Sequence, residues 1–335
     1  MNGIGTSTID QGKRFECWNI EPAWPIPSLA ADLAHGFEQS PRMLPPKYFY
    51  DSTGSKLFEQ ICDTPEYYPT RAESALLKTH ATELISTIKP RHLIELGSGN
   101  SRKTRYLLLA ANDLRLPLDY WPFDVCRDML EHSGHALISE FPQLRVRALV
   151  GDYLGGLTNL PQPDGPRMFV FLGGTIGNFS ESESDCFLND LRTQMRPDDT
   201  LLLGADRLKN PAILEAAYND AAGITAAFNL NVLKVVNREL QADFDLAAFR
   251  HRAIFNDAAS RIEIYLVSRR QQQVNVQALK RTYSFDKNEV ILTEISRKYS
   301  RQSLSAILER AGFTVERHIE GGERLFSLVL ARPTP

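Results

Sequence analysis

The chain has little of what marks secreted, membrane-bound or nucleic-acid-binding proteins. No apolar run reaches the roughly 18 residues that a membrane helix needs, and we expect no signal peptide because the first residues form no apolar stretch. The formal net charge of −3 provides no basic surface, so nucleic acid is not an expected partner. The four cysteines are scattered and form no CxxC pair (Cys17, Cys62, Cys126 and Cys186). Reduced cysteines fit a cytoplasmic protein.

Common catalytic and metal-binding motifs are also absent. The sequence contains no GxSxG, no HExxH and no P-loop, which leaves the corresponding hydrolase and nucleotidase functions without support. His132 and His135 can share one face of a predicted helix, but no third ligand is nearby in sequence. We therefore expect a solvated helix end there and no metal site.

The most informative segment that is present is ELGSGNSRKTRYLL, residues 95–108. An apolar strand ends at Glu95, two glycines follow, and a helical pattern begins at once, so backbone N–H groups can approach a ligand at the mouth of a parallel sheet. The acidic residue favours a cationic ligand, such as the sulfonium of S-adenosyl-L-methionine (SAM), over a pyrophosphate. A nicotinamide cofactor is the alternative, although Arg102 stands where that fingerprint has its third glycine.

Strands and helices alternate from residue 92 to residue 205, which predicts an α/β fold with a doubly wound, mostly parallel sheet. The predicted strands are 92–95, 119–123, 145–150, 168–172 and 200–205, and a helix (302–311) and two strands (314–320 and 324–331) close the chain. Upstream, helices over 54–61 and 72–88 flank a predicted loop, 64–73. Between the fifth strand and the last helix, the pattern predicts helices over 210–231 and 232–240 and antiparallel strands over 261–268, 274–285 and 290–296.

This pattern predicts a division of the chain into parts. We expect a disordered tail (1–14), the helical part of a substrate-binding domain (15–79), a cofactor-binding core (80–205 and 298–332), and an inserted substrate-binding domain (206–297).

Polar residues follow the predicted parallel strands, where open α/β sheets bind ligands. In chain order they are Gly97 and Gly99, then Asp124, then Asp152 with Tyr153, and finally Asn178. Asp124 can accept hydrogen bonds from both hydroxyls of a ribose, or it can cap the following helix. Asp152 and Tyr153 suit an adenine. Lys103 is either a lysine on the helix surface or a group that reaches the carboxylate of a cofactor.

The strand at 290–296 carries a second candidate site. Its alternation places Val290, Leu292, Glu294 and Ser296 on one face. A carboxylate and a hydroxyl two residues apart can bracket a small ring that donates on one side and accepts on the other, as an imidazole does. The alternative is a solvated strand end.

Five segments together resemble the SAM-dependent, histidine-specific methyltransferase family: residues 47–73, ELGSGNSRKTRYLL, FLGGTIGNF, AAGITAAFNLNVLKVVNREL and ILTEISRKY. The resemblance runs from about Trp24 to the C-terminus. It implies a class I SAM-methyltransferase fold, a Rossmann-like doubly wound sheet with a second α+β substrate domain.

The resemblance also implies roles for residues of this chain. Cofactor binding falls to Gly97, Lys103, Asp124, Asp152 and Tyr153. Substrate binding falls to Tyr67, to Asn178 and Tyr218 at the amino-acid backbone, and to Glu294 and Ser296 at the imidazole. Tyr50 is a further tyrosine of the pocket, and with Asn178 it forms the expected catalytic pair.

The implied reaction transfers methyl groups from SAM to the α-amine of L-histidine, up to the trimethylated betaine hercynine. This is the first step of ergothioneine biosynthesis, and S-adenosyl-L-homocysteine is the by-product. The chain departs from the family in having Ile264 and Tyr265 where a methionine is expected. Another aromatic substrate, such as tryptophan, is therefore an alternative, and so is a non-catalytic binding homologue. We expect a monomer.

Overall fold

The computed structural model describes residues 14–335, so the predicted tail lies outside the described residues except for Arg14. The strands are β1 (Phe15–Asn19), β2 (Arg42–Met43), β3 (His92–Leu96), β4 (Asp119–Asp124), β5 (Arg145–Val150), β6 (Arg167–Phe171), β7 (Thr200–Asp206), β8 (Phe249–Asn256), β9 (Arg261–Ser268), β10 (Gln272–Val276), β11 (Arg281–Phe285), β12 (Val290–Arg297), β13 (Phe313–Glu320) and β14 (Phe326–Pro333). The α-helices are α1 (Leu29–Gly36), α2 (Ser52–Asp63), α3 (Tyr68–Ile88), α4 (Arg105–Asp113), α5 (Arg127–Glu140), α6 (Glu181–Gln194), α7 (Pro211–Ala217), α8 (Ile224–Leu240) and α9 (Arg301–Arg310).

An eight-stranded sheet with the order β1-β5-β4-β3-β6-β7-β14-β13 organises the larger part of the chain. The strands from β1 to β7 in this order run parallel, whereas β14 pairs antiparallel with β7 and forms a hairpin with β13. This is the doubly wound α/β sheet that the sequence predicts. Strand order reverses at β3, which places a ligand crevice beyond its carboxyl end.

Strand β1 corrects one boundary of the predicted division. We assigned residues 15–79 to the substrate-binding part, but Phe15–Asn19 pairs in parallel with β5 at the edge of the large sheet. Phe15 and Cys17 are buried in the same core as helices α3, α4 and α5. Their alternate apolar side chains give β1 a face to bury there.

Two layers of helices cover the large sheet. Leu93 packs in the core that includes α3, α4 and α5, whereas its neighbour Ile94 packs in the core that includes α6 and α9. This alternation is what a parallel strand buried on both faces requires. Helix α3 is the longest helix among residues 14–335, and no helix in this range is long and apolar enough to span a bilayer.

A third core lies in the smaller part of the molecule. Here the sheet β2-β12-β9-β8 packs with α1, α2, α7, α8 and the β10–β11 hairpin. Phe228 of α8 and Ile264 of β9 are both buried in this core. We keep the division into a cofactor-binding and a substrate-binding part as a proposal.

The two helices predicted over 210–240 are separated at a different position from the predicted one. We predicted a junction after Asn231, but α7 ends at Ala217 and α8 begins at Ile224. Gly223 adopts a left-handed φ of 72°, and the Asp220 carboxylate accepts from the N–H groups of Ile224 and Thr225. A carboxylate that binds the free N–H groups at a helix start stabilises that start.

Other predicted elements also differ from the structure. The segment predicted as one strand, 274–285, is the hairpin β10–β11, which reverses at Lys280 with a φ of 51°. Helix α3 starts at Tyr68, inside the predicted loop 64–73, because Pro69 is favourable in a first helical turn. Strand β8 was not predicted at all.

Candidate active site

The loop after β3 has the open backbone that a ligand would need. Gly97 and Gly99 adopt φ values of 70° and 51°, a region that costs other residues energy. A side chain at Gly99 would meet no atom within 4 Å, whereas one at Gly97 would come within 3.4 Å of the Tyr153 ring. The loops after β3 and β5 therefore meet at Gly97, with free space beside Gly99.

Glu95 does not have the role that its position suggested. Its carboxylate is buried and accepts hydrogen bonds from the hydroxyls of Thr104 and Tyr120. Burial raises its pKa to about 7, against the lowering effect of these hydrogen bonds. The prediction that Glu95 favours a cationic ligand is wrong, because its carboxylate binds hydroxyl groups inside the fold.

Asp124 supplies the negative charge at this edge of the sheet. Its two carboxylate oxygens accept from the N–H groups of Gly99 (2.8 Å) and Cys126 (3.0 Å). Burial raises its pKa above the ordinary value, Asp152 adds to the rise, and the backbone hydrogen bonds oppose it. A carboxylate has about four acceptor sites, so Asp124 can hold the loop and still accept from two ligand hydroxyls.

Asp152 and Tyr153 lie beside Asp124. Asp152 accepts from the N–H of Leu154 at 2.8 Å, which fixes the short turn Tyr153–Gly155. The Tyr153 ring packs edge-on against Phe171, with ring centres 5.7 Å apart. Burial raises the pKa of Tyr153, and Asp152 and Asp124 raise it further. These three predicted cofactor residues are therefore neighbours.

Lys103 forms an ion pair inside the protein, which neither of its two predicted roles included. Its ammonium lies 2.5 Å from the carboxylate of Glu73, which is fully buried and accepts from the N–H of Gly173 at 3.0 Å. Lys103 thus connects the loop after β3 to helix α3 and to the loop after β6. Its contact with a cofactor stays a prediction.

Most of the predicted substrate residues lie on the smaller part of the molecule, and Asn178 lies on the part with the large sheet. The buried rings of Tyr67 and Tyr218 lie 5.9 Å apart, edge to face. The Tyr218 hydroxyl is also buried and lies 2.9 Å from Ser296 Oγ. Asn178 ends the short turn Thr175–Asn178 after β6. Within residues 14–335 its side-chain amide makes no hydrogen bond, so its donors remain free for a ligand.

Glu294 is the acidic residue of the predicted imidazole site. Among the described residues it makes no hydrogen bond and no ion pair, although it is only partly exposed. Burial raises its pKa to about 7, and Lys298 lowers it. Since an unpaired buried carboxylate costs stability, this arrangement favours a ligand that donates a hydrogen bond to Glu294.

The predicted single face of 290–296 is wrong, because β12 contains a bulge. The pairing with β9 shifts between Leu292 and Glu294, and the extra residue Thr293 is buried. A bulge re-aims the side chains that follow it. Beyond it, Ser296 and Lys298 are joined by a hydrogen bond of 2.7 Å.

Tyr50 connects the two groups of residues. It is 38% exposed, and burial is nevertheless the main cause that raises the pKa of its hydroxyl. The charges of Glu294, Tyr153 and Asp124 raise this pKa further. Tyr50 therefore lies within electrostatic reach of both the substrate and the cofactor residues.

Sequence reasoning missed a buried charged cluster behind Tyr218. Its members are Tyr68, Asp206, Lys209 and Lys298. Asp206 ends β7, so the rule that selected Asp124 and Asp152 would also have selected Asp206 if applied to the fifth strand. Lys298 continues the alternation of Glu294 and Ser296 by one further step.

No group of three potential ligands within residues 14–335 could hold a metal ion. Of the helix pair His132 and His135, His135 packs against the Phe15 ring, with ring centres 4.5 Å apart.

The residues at the edge of the large sheet fit SAM. Asp124 keeps free acceptor sites for a ribose, Tyr153 offers an aromatic ring for an adenine, and the space beside Gly99 admits a ligand. The carboxylates of Asp124 and Asp152 suit a cationic ligand better than a pyrophosphate.

Comparisons with known proteins also indicate a SAM-dependent enzyme. The model of a family described as SAM-dependent, histidine-specific methyltransferases matches residues 29–333. A histidine N-alpha-methyltransferase of Mycobacterium tuberculosis is 46% identical over 285 residues, which cover 85% of this chain and 88% of that protein. Ergothioneine biosynthesis protein 1 of Neurospora crassa is 37% identical over 60% of this chain and 23% of that protein. The L-tryptophan methyltransferase trpM of Psilocybe serbica is 29% identical, over 85% of this chain and 87% of that protein.

Proposed function

The chain belongs to the histidine-specific, SAM-dependent methyltransferase family, and from this premise we propose that it methylates the α-amino group of L-histidine. The resemblance predicted from five sequence segments is thereby confirmed, as is the α/β class I SAM-methyltransferase fold. SAM is the methyl donor and S-adenosyl-L-homocysteine the by-product. The relation to ergothioneine biosynthesis protein 1 supports a place in ergothioneine biosynthesis.

When bound, SAM supplies a methyl group on a cationic sulfur. An amine can attack the methyl carbon in line with the carbon–sulfur bond, and the neutral thioether leaves. The protein's task is to hold a neutral amine at the correct distance and angle. We assign the cofactor to Gly97, Lys103, Asp124, Asp152 and Tyr153. Their convergence at the end of β3 supports this assignment.

The substrate amine must lose its proton before it can attack. Burial is the main cause that raises the pKa values of Tyr50, Tyr67 and Tyr218, so these hydroxyls are neutral hydrogen-bonding groups and not bases. Tyr50 is partly exposed to solvent, which supports a route for the proton to water. We assign Tyr50 and Asn178 to the alignment of the amine.

Recognition of the imidazole rests on one observation, the unpaired carboxylate of Glu294 two residues before the Ser296 hydroxyl. An ionised carboxylate only accepts, so it selects a ring N–H. We assign Tyr67, Tyr218 and the amide of Asn178 to the rest of the amino acid, and the contact between the Tyr67 and Tyr218 rings supports this assignment. A site with buried polar groups of this kind discriminates strongly against ligands that leave them unpaired.

Mass spectrometry of L-histidine incubated with the purified protein and SAM tests the proposal. We expect mass gains corresponding to one, two and three methyl groups. L-tryptophan in the same assay tests the alternative that tryptophan is the substrate. The presence of Ile264 where the family has methionine and the similarity to trpM both raise this alternative. Binding of both ligands without any mass gain would instead indicate a non-catalytic homologue.

Glu294→Ala tests the assignment of the imidazole site. We expect kcat/KM for histidine to fall by at least about 100-fold, because the ring N–H loses its acceptor, while the dissociation constant of SAM stays unchanged. Equal losses in histidine use and SAM affinity would contradict this role of Glu294.

We further propose that the protein works in the cytoplasm as a monomer, without a nucleic-acid or membrane partner. The near-neutral charge balance and the four free cysteines support this proposal. Light scattering on the purified protein measures its mass in solution, and a mass of two chains would contradict the monomer.

A further inference from the structure

Lys298 has an unusual environment for a lysine. Its side chain is fully buried, whereas lysines seldom are unless they are paired. The ammonium lies 2.8 Å from Asp206 Oδ2, 2.9 Å from the Tyr218 hydroxyl and 2.7 Å from Ser296 Oγ. All three of its N–H groups therefore have an acceptor.

The charge of Lys298 is held by Asp206. Burial alone would lower the pKa of Lys298, but Asp206 and the hydrogen bonds raise it above the ordinary value. Lys209 also pairs with Asp206, at 2.6 Å. Two lysines around one aspartate leave the cluster with one net positive charge when both are protonated, directly behind Tyr218 and Ser296.

The direction of the hydrogen bonds follows from the chemistry of the ammonium. A lysine ammonium only donates, so the oxygens of Tyr218 and Ser296 must both accept from Lys298. Accepting from Lys298 uses the hydrogen of neither hydroxyl, so both can donate to a ligand that replaces the 2.9 Å contact between them. Without Lys298, the two hydroxyls, which lie 2.9 Å apart, would satisfy one another, and one of them would face a ligand as an acceptor.

We propose that Lys298 is a positioning residue that makes Tyr218 and Ser296 donors toward the amino-acid substrate. This inference rests on the proposed function. Tyr218 then donates to the substrate carboxylate, and Ser296 donates to the ring nitrogen that carries no hydrogen. Glu294 accepts from the other ring nitrogen. A neutral imidazole has this pair of groups, so Lys298 contributes to substrate choice without touching the substrate.

The test compares L-histidine with the two pyrrolyl-alanines, whose rings keep an N–H but have C–H in place of the acceptor nitrogen. Dissociation constants are measured by calorimetry with saturating S-adenosyl-L-homocysteine. In the unmodified protein we expect the better pyrrole isomer to bind about tenfold or more weakly than histidine, because a buried donor is left unpaired.

Lys298→Met is expected to weaken histidine binding about tenfold or more and to bring the histidine-to-pyrrole ratio close to one. Lys209→Met is the matched control, because Lys209 also pairs with Asp206 but is bonded to Tyr68 and not to Tyr218 or Ser296. It should keep the ratio of the unmodified protein. S-adenosyl-L-homocysteine affinity should be the same in all three proteins.

A ratio that Lys298→Met leaves unchanged would overturn the inference, as would the same loss of ratio in Lys209→Met. If Lys298→Met does not fold, Lys298→Leu replaces it. A leucine side chain donates no hydrogen bond, so the ratio must again fall, and a retained ratio again overturns the inference. Failure of the unmodified protein to methylate histidine would instead overturn the proposed function.

Discussion

At the scale of single residues, two partly buried carboxylates account for much of the chemistry of the site. Asp124 is held by backbone N–H groups, whereas Glu294 has no partner within residues 14–335. Both have raised pKa values, and burial is the main cause in each case. Each carboxylate therefore lowers the stability of the free protein in a way that a suitable ligand can offset.

Glu294→Gln should remove a pH dependence from histidine binding. The pKa of Glu294 is about 7, so as the pH falls through this value protonation replaces the ionised acceptor of the ring N–H with a weaker, neutral one. Between pH 8 and pH 6 we expect the histidine affinity of the unmodified protein to fall about tenfold more than that of Glu294→Gln. Calorimetry with S-adenosyl-L-homocysteine present measures both curves. Parallel curves would show that Glu294 does not titrate in this range.

The same variant should be more stable at high pH. The folded-state pKa of Glu294 lies above its ordinary value of 4.5, so stability is lost as the pH rises from about 4.5 to about 7. The free energy of unfolding of Glu294→Gln should exceed that of the unmodified protein at pH 8 and differ little at pH 5. Urea denaturation at both pH values checks this, and an equal gain at both would point to a cause other than ionisation.

Asp124→Asn should weaken SAM binding about tenfold or more, because the amide has fewer acceptor sites for ribose hydroxyls. Asp128→Asn, an exposed change in the first turn of α5, is the control and should have no effect. Calorimetric titration with SAM measures both. If Asp124→Asn leaves the SAM affinity unchanged, Asp124 does not bind the ribose hydroxyls, whatever the variant does to histidine binding.

At the scale of elements, the bulge in β12 sets the direction of the Glu294 carboxylate. The buried hydroxyl of Thr293 lies 2.7 Å from Asn229 Oδ1 of α8 and 3.0 Å from the carbonyl oxygen of Ile264 on β9. The bulge is thus held from a helix and from the neighbouring strand. Because strand side chains alternate, the extra residue decides which way Glu294 points.

Thr293→Val should lower the free energy of unfolding by about 1–2 kcal/mol, because Asn229 loses a buried hydrogen-bond partner. Histidine affinity should also fall several-fold, with SAM affinity unchanged. The exposed Thr282→Val on β11 is the control. Lower stability with full histidine affinity would show that this anchor does not set the position of Glu294.

At the scale of the whole molecule, helix α3 connects the two parts of the site. Tyr67, just before its start, is a predicted substrate residue, and the hydroxyl of Tyr68 lies 2.8 Å from Asp206 at the end of β7. One turn later, Glu73 pairs with Lys103 and accepts from Gly173. A single helix thus holds the loops after β3 and β6 in a fixed relation to the substrate residues.

Glu73→Gln should therefore affect both ligands. We expect a loss of about 3 kcal/mol in the free energy of unfolding, since Lys103 loses its buried partner, and weaker binding of both SAM and histidine. Glu83→Gln changes the same residue type on the same helix, where an exposed carboxylate pairs with Arg317, and should change neither ligand's affinity. Selective loss of one ligand in Glu73→Gln would contradict the connecting role of α3.

The sequence by itself determined the alternation of strands and helices, the residues at the strand ends and the family. These are local properties, because periodicity and turn chemistry involve residues close together in the chain. The tertiary structure alone decided that Glu95 faces inward, that Lys103 pairs with Glu73 and that Lys298 bonds to Tyr218. Their partners lie 9 to 80 residues away in the sequence. Local sequence patterns do not indicate which distant side chains come into contact when the chain folds.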